Sequence, residues 1–144
     1  MNIKNICTLI ILLISLSGFA QEWTYNIEEA KQKASIEKKS IVLVFAGSDW
    51  CAPCIKLEKK IWESSQFQRL AKDSFVMLKA DFPRRKKNQL PKDQQKHNDQ
   101  LAEKYNQSGN FPLVVVLDAN GRLKGKAGYE NISPIEYYKK LKSL

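Results

Sequence analysis

The chain has 144 residues and a net charge of +9, from 24 basic and 15 acidic side chains, with 43% hydrophobic residues. That length fits one domain, and there is neither an internal repeat nor a sign of a second unit. The charge by itself admits nucleic acid, anionic lipid or acidic protein partners, and the first twenty residues argue against nucleic acid.

Lys4 and the amino terminus form a short positive end, and Ile6 to Leu16 is almost wholly apolar. Gly18 and Ala20 then supply small residues at the spacing a signal peptidase reads. The apolar run is shorter than the about 20 residues that span a bilayer. Cys7 precedes the apolar stretch, whereas a lipoprotein cysteine follows it. The pattern predicts a signal peptide over 1–20, cleaved after Ala20, and a domain over 21–144. It also predicts a periplasmic or secreted location with no stable membrane insertion after cleavage. The final Lys142-Ser143-Leu144 does not match a retention signal, which favours the bacterial periplasm. Lys4 is the sole charge in 1–20, so cleavage takes the net charge from +9 to +8. It also reduces the cysteines from three to two, Cys51 and Cys54.

The mature chain alternates helical and strand patterns. Asn26 is a helix cap with Glu29 three residues on, and Ile27, Ala30 and Ala34 share a face. Ile41 to Phe45 reads as a strand buried on both sides, broken by Gly47-Ser48. A helix is predicted from about Cys51, with Cys54, Leu57, Ile61 and Trp62 inward. Ser65 and Gln68 suggest a second capping box ahead of Phe67 and Leu70. Phe75 to Leu78 reads as a strand ending near Asp81, and the basic stretch from Pro83 to Lys96 as a loop. A helix over about 95–105 turns Leu101, Ala102 and Tyr105 inward, and Leu113 to Leu117 is a third strand. Asn120-Gly121 signals a hairpin into a fourth strand over about 122–127. Ser133, Pro134 and Glu136 open a last helix, with Ile135, Tyr138 and Leu141 inward. The order predicts an α/β sandwich on a mixed sheet of about four strands, the first two parallel.

Both remaining cysteines lie in Trp50-Cys51-Ala52-Pro53-Cys54. At a helix start, free N–H groups and the helix dipole favour thiolate at the first sulfur. The second sulfur lies one turn on, placed to close a disulfide and release a substrate from the first. Zinc usually takes four ligands, and the mature chain offers these two cysteines and one histidine, His97. Copper held by two thiolates is compatible with the count, and a purely structural disulfide this small constrains little chain.

Ile41 to Cys54, a buried strand leading through a short turn into Trp-Cys-x-Pro-Cys, resembles the thioredoxin superfamily. Gly109-Asn110-Phe111-Pro112 ahead of Leu113 to Val116 resembles that family's cis-proline and third core strand, and Asn120-Gly121 with Gly128 fits its final hairpin. The resemblance spans about residues 26–144. It implies a thioredoxin-like three-layer sandwich and a protein thiol–disulfide oxidoreductase with no cofactor and no metal. Cys51 would attack and Cys54 resolve, with Trp50 and Pro53 shaping the site. Pro112 would lie in cis against the disulfide, and the Phe111 backbone would pair with an extended substrate. The implied partners are protein substrates with disulfides or thiols and an upstream redox partner, and the implied state is a monomer. The charge-free Ala52-Pro53 pair favours a reductant over an oxidant.

Two departures from the family pattern stand out. Val44 occupies the position where thioredoxins bury an acid beneath the second cysteine. Asp49, beside Trp50, is either a substitute acid–base group or, the favoured reading, a solvated turn aspartate. Phe111 is bulkier than the residue common before the cis-proline, and either selects apolar substrates or fills core. Arg84 to Lys87, with Lys92 and Lys96, reads as a solvated loop in preference to a docking patch. A competing functional reading is a binding or chaperone-like module, copper-handling included, that holds a client through its cysteines.

Overall fold

A computed structural model describes residues 20–144; the predicted signal peptide lies outside them apart from Ala20. The elements, in chain order, are β1 (Trp23–Thr24), α1 (Ile27–Glu37), β2 (Ser40–Ala46) and α2 (Ala52–Leu57), which runs on as a π-helical turn (Glu58–Trp62). Then follow α3 (Ser65–Ser74), β3 (Phe75–Asp81), α4 (Lys92–Tyr105), β4 (Leu113–Leu117), β5 (Leu123–Ala127) and α5 (Pro134–Ser143). Among the described residues no helix is long and apolar enough to cross a membrane.

The strands form one mixed sheet in the order β1-β3-β2-β4-β5. β2 pairs parallel to β3 and antiparallel to β4, and β4 pairs antiparallel to β5. The sheet has five strands where about four were expected. The addition is β1, whose two residues pair parallel to Met77 and Leu78 and are too few to show a period-two pattern.

Alternation along β2 divides the interior into two layers. Val42, Val44 and Ala46 face the core shared with Leu57, Ile61, Trp62, Phe67 and Tyr137. Ile41, Leu43 and Phe45 face the core shared with Ala30, Ala34, Leu101 and Tyr105. Helices on both faces give the three-layer sandwich, and they explain why β2 and β4 read as unbroken apolar runs.

Local chemistry sets the ends of the elements. The Asn26 carboxamide accepts the Glu28 and Glu29 amides, and Ser133 with Glu136 forms a complete capping box behind Pro134. Several expectations shift. The cap of α3 is Ser64, not Ser65: its hydroxyl accepts the Phe67 amide, while the Gln68 side chain donates back to the Trp62 carbonyl. α4 starts at Lys92, three residues early, with Pro91 as its cap residue, so part of the expected loop is helix. The inward face of α5 is Tyr137 and Leu141 with half-buried Tyr138 beside them against Phe75, while Ile135 is exposed. Leu70 is likewise half out. At the hairpin only Gly121 takes positive φ, at 80°, and the Asp118 carboxylate accepts the Asn120 and Arg122 amides. The turn is therefore wider than a two-residue Asn-Gly connection, and a register shift follows at Val116/Leu117.

Candidate active site

β2 ends at Ala46, and Gly47 turns the chain back on itself. Its carbonyl accepts the amides of Trp50, at 3.2 Å, and Cys51, at 2.9 Å. That turn makes Cys51 the cap residue of α2, with extended backbone. The Cys54 amide donates to Cys51 Sγ at 3.3 Å. The helix start therefore gives the first sulfur one of its free N–H groups. Cys51 and Cys54 are joined as a disulfide and are only 4% and 5% exposed. Pro53 sits in the first turn of α2, where its missing N–H leaves no bond unmade.

An aromatic wall borders the pair. Trp50 donates from Nε1 to the Phe82 carbonyl at 2.7 Å. Its ring meets Phe111 edge-on at 5.4 Å, and Phe111 meets Phe82 at the same distance. Trp50 lies so flat over Gly47 that a β-carbon there would come within 2.6 Å of the indole, which makes the glycine obligatory. The Phe111–Pro112 bond is cis, as the resemblance implied. Phe111 packs against both cores yet stays half-exposed, so it fills interior with one part and presents surface with the other.

Asp49 does not point at the cysteines' chemistry. Its carboxylate accepts the amides of Arg84 and Arg85 and the side-chain amide of Asn88, each at 2.9 Å. Donation from the Arg84 amide above all, then from Asn88 and Arg85, holds the carboxyl at about 2. An acid that strong cannot exchange protons near neutrality. What Asp49 does is tie down the basic segment, which the sequence suggested was a free loop. The tie sets the Arg84 guanidinium 3.6 Å above the Trp50 ring, a cation–π contact at the rim of the site.

This gives an expected result in acid. The folded-state pKa of Asp49 is depressed below its unfolded value, so its contribution is present above about pH 4. It is lost as pH falls toward 2. Asp49→Asn should lower the melting temperature at pH 6, and the gap from wild type should close by about pH 2, read by thermal unfolding across pH.

Val44 is buried and apolar, and no acid lies beneath Cys54 on that strand. On the helix side the picture differs. A cleft of about 290 Å³ is lined by Cys54, Ser48, Glu58, Lys59, Glu63 and Lys79. Lys79 donates to both oxygens of Glu58, at 3.2 and 3.0 Å, and its ammonium lies 4.1 Å from the Trp23 ring centre. Sequence reading missed this pair. Its one signal was the i, i+4 spacing of Cys54 and Glu58. A larger cavity, of about 430 Å³, opens at the other end of the sheet beside Gln21, Phe75 and Met77. His97 lies on α4 and accepts the Ile27 amide at 3.0 Å.

Comparison with known proteins agrees with this geometry. Residues 22–119 match the family model described as thioredoxin-like. The disulfide bond reductase DsbH of Chlamydia pneumoniae is 37% identical over 115 residues, which cover 80% of this chain and 68% of DsbH. The thioredoxin-related protein DsbJ of the same organism is 29% identical over 92 residues, covering 56% of this chain and 26% of DsbJ. A solved structure titled DsbH oxidoreductase superposes with a TM-score of 0.79 at 34% identity, covering 86% of this chain and 83% of that one. With a Cys-Ala-Pro-Cys disulfide at the start of a helix and this kinship, the chain belongs to the thioredoxin-like family and is a thiol–disulfide oxidoreductase.

Proposed function

We propose that this oxidoreductase is exported and works as a reductant of disulfides in exported proteins. Cys51 attacks a substrate disulfide, Cys54 resolves the mixed disulfide, and an upstream dithiol restores the reduced pair. Trp50 shields the exchange. The backbone at Phe111, ahead of cis-Pro112, pairs with an extended segment of the substrate. The observation that carries this reading is the Cys54 amide donating to Cys51 Sγ at the helix start, because it favours the thiolate that must attack.

The uncharged pair between the cysteines supports this direction. A strongly oxidising pair is one whose reduced form is heavily stabilised. Ala52 and Pro53 bring no charge of their own to Cys51, which supports the reductant reading. The relative DsbH bears the name disulfide bond reductase, in agreement. Export rests on the pattern over 1–20, with its positive end, apolar run and small residues before Gln21.

The deciding experiment equilibrates the purified 21–144 protein with dithiothreitol buffers and reads the oxidised fraction. A midpoint near the about −270 mV of thioredoxin is expected, with turnover of insulin disulfides. A midpoint near the about −120 mV of the strong oxidant DsbA would overturn the proposed direction.

A further inference from the structure

The resolving step needs a base. Cys54 is buried, and burial among apolar groups favours its neutral thiol. The neutral thiol is not the nucleophile. The strand beneath it supplies only apolar side chains to this layer, Val42, Val44 and Ala46. Cys54 and Glu58 stand one helical turn apart on α2 and its π extension, and both line the same cleft. The π turn begins at Glu58, whose carbonyl accepts the Glu63 amide at 2.9 Å, and turns of this kind are frequent at functional sites. The cleft is polar on one wall and has room for a bridging water.

Lys79 completes the arrangement. It is the residue of β3 that pairs in register with Val44, so it enters the cleft from the strand beside that position. Its ammonium holds both Glu58 oxygens. The other charged groups facing the cleft are Lys59 and Glu63 from the helix. Asp81, at the end of β3, accepts the amide and hydroxyl of Ser48 and is thereby engaged.

We propose that Glu58, positioned by Lys79, is the proton acceptor for Cys54, an acid–base group supplied by the helix where the strand carries valine. The proposal rests on the dithiol exchange above. In the mixed disulfide the Cys54 thiol gives its proton to the Glu58 carboxylate through the cleft. The thiolate attacks Cys51 Sγ, the Cys51–Cys54 bond forms and the bond from Cys51 to the substrate sulfur breaks. The substrate leaves as thiolate and takes up the proton. The cysteine pair loses two electrons and the substrate disulfide gains them. In the reverse direction Glu58 returns a proton to departing Cys54.

The test reads the two steps apart. Reduced protein is mixed with dithiobis-nitrobenzoate, whose first coloured half leaves when Cys51 attacks and whose second leaves when Cys54 resolves. Glu58→Gln should leave the first release unchanged and slow the second roughly a hundredfold or more near neutral pH. Glu58→Asp should restore part of the rate. Lys79→Met, which releases the carboxylate that the ammonium holds, should slow the second release and leave the first unchanged, and Lys79→Arg should restore part of the rate. A carboxylate that merely sat beside Cys54 would act with the opposite sign: its removal would favour thiolate and hasten the second release. That outcome, or equal slowing of both releases, or a Lys79→Met second release as fast as wild type, overturns the proposal. If wild type releases no second half, the dithiol reading itself fails, whatever the role of Glu58.

Discussion

Cys51→Ser is expected to abolish reduction of insulin, by about a thousandfold or more, while the fold survives. Removing a covalent nucleophile removes the pathway rather than one contribution to it. Serine differs from cysteine by one atom, and the position caps α2. Serine is a good cap residue, so the helix start should be kept or slightly strengthened. The companion variant Cys54→Ser has a different signature. Cys51 still attacks, nothing resolves, and the substrate stays attached through a disulfide that dithiothreitol releases. Non-reducing gels and intact mass follow both variants. The asymmetry follows from the chain order. The sulfur at the cap accepts the Cys54 amide, and the residue one turn on lines the cleft that holds Glu58. If Cys51→Ser accumulated adducts and Cys54→Ser did not, the two roles would be exchanged. Equal, partial activity in both would favour a client-holding module over an enzyme.

Much of this architecture is written in short-range patterns. β2 and β4 were legible because each is buried on both faces and reads as an unbroken apolar run. α5 was legible because Ser133, Pro134 and Glu136 each do local work at its start. Both family landmarks, Trp50-Cys51-Ala52-Pro53-Cys54 and Phe111-Pro112, are contiguous segments and so stand in the sequence undisguised. What escaped depends on contacts between distant segments. Asp49 reaches Arg84 and Arg85 across 35 and 36 residues, so a turn aspartate and a basic stretch each looked solvated by themselves. Glu58 and Lys79 are 21 residues apart and meet only once β3 is laid beside β2. On α5 the expected Tyr138 and Leu141 do pack inward, but Ile135 stays out and the most buried residue, Tyr137, was missed. The interior selects Tyr137, whose hydroxyl donates to the Gly128 carbonyl. Burial pushes that hydroxyl's pKa up and keeps it a donor.

Trp62→Ala should be the most destabilising single change outside the active site. Trp62 is 1% exposed and is packed edge-on against Trp23 at 6.1 Å, Phe67 at 4.9 Å and Tyr137 at 5.6 Å. It therefore joins β1, the π turn, α3 and α5 in one cluster, and the others have no substitute partner of that size. Truncating a buried tryptophan to alanine costs about 3–5 kcal/mol, against a total of about 5–15 kcal/mol for a typical domain. With a urea slope of about 2 kcal/mol/M, the midpoint should fall by about 2 M and the slope should stay unchanged. Leu123→Ala, on the outer strand and 53% exposed, should move it by less than about 0.5 kcal/mol. The comparison must be made with the disulfide intact in both proteins, since reduction changes the unfolded reference. Trp62→Phe should recover part of the loss, because an aromatic ring keeps some edge contacts. Trp62 closes the same π turn that Glu58 opens. Folded Trp62→Ala should therefore also resolve the mixed disulfide more slowly than wild type, with its Cys51 step unchanged. A truncation that lowered stability but left both steps untouched would mean that the turn holds its shape without the indole.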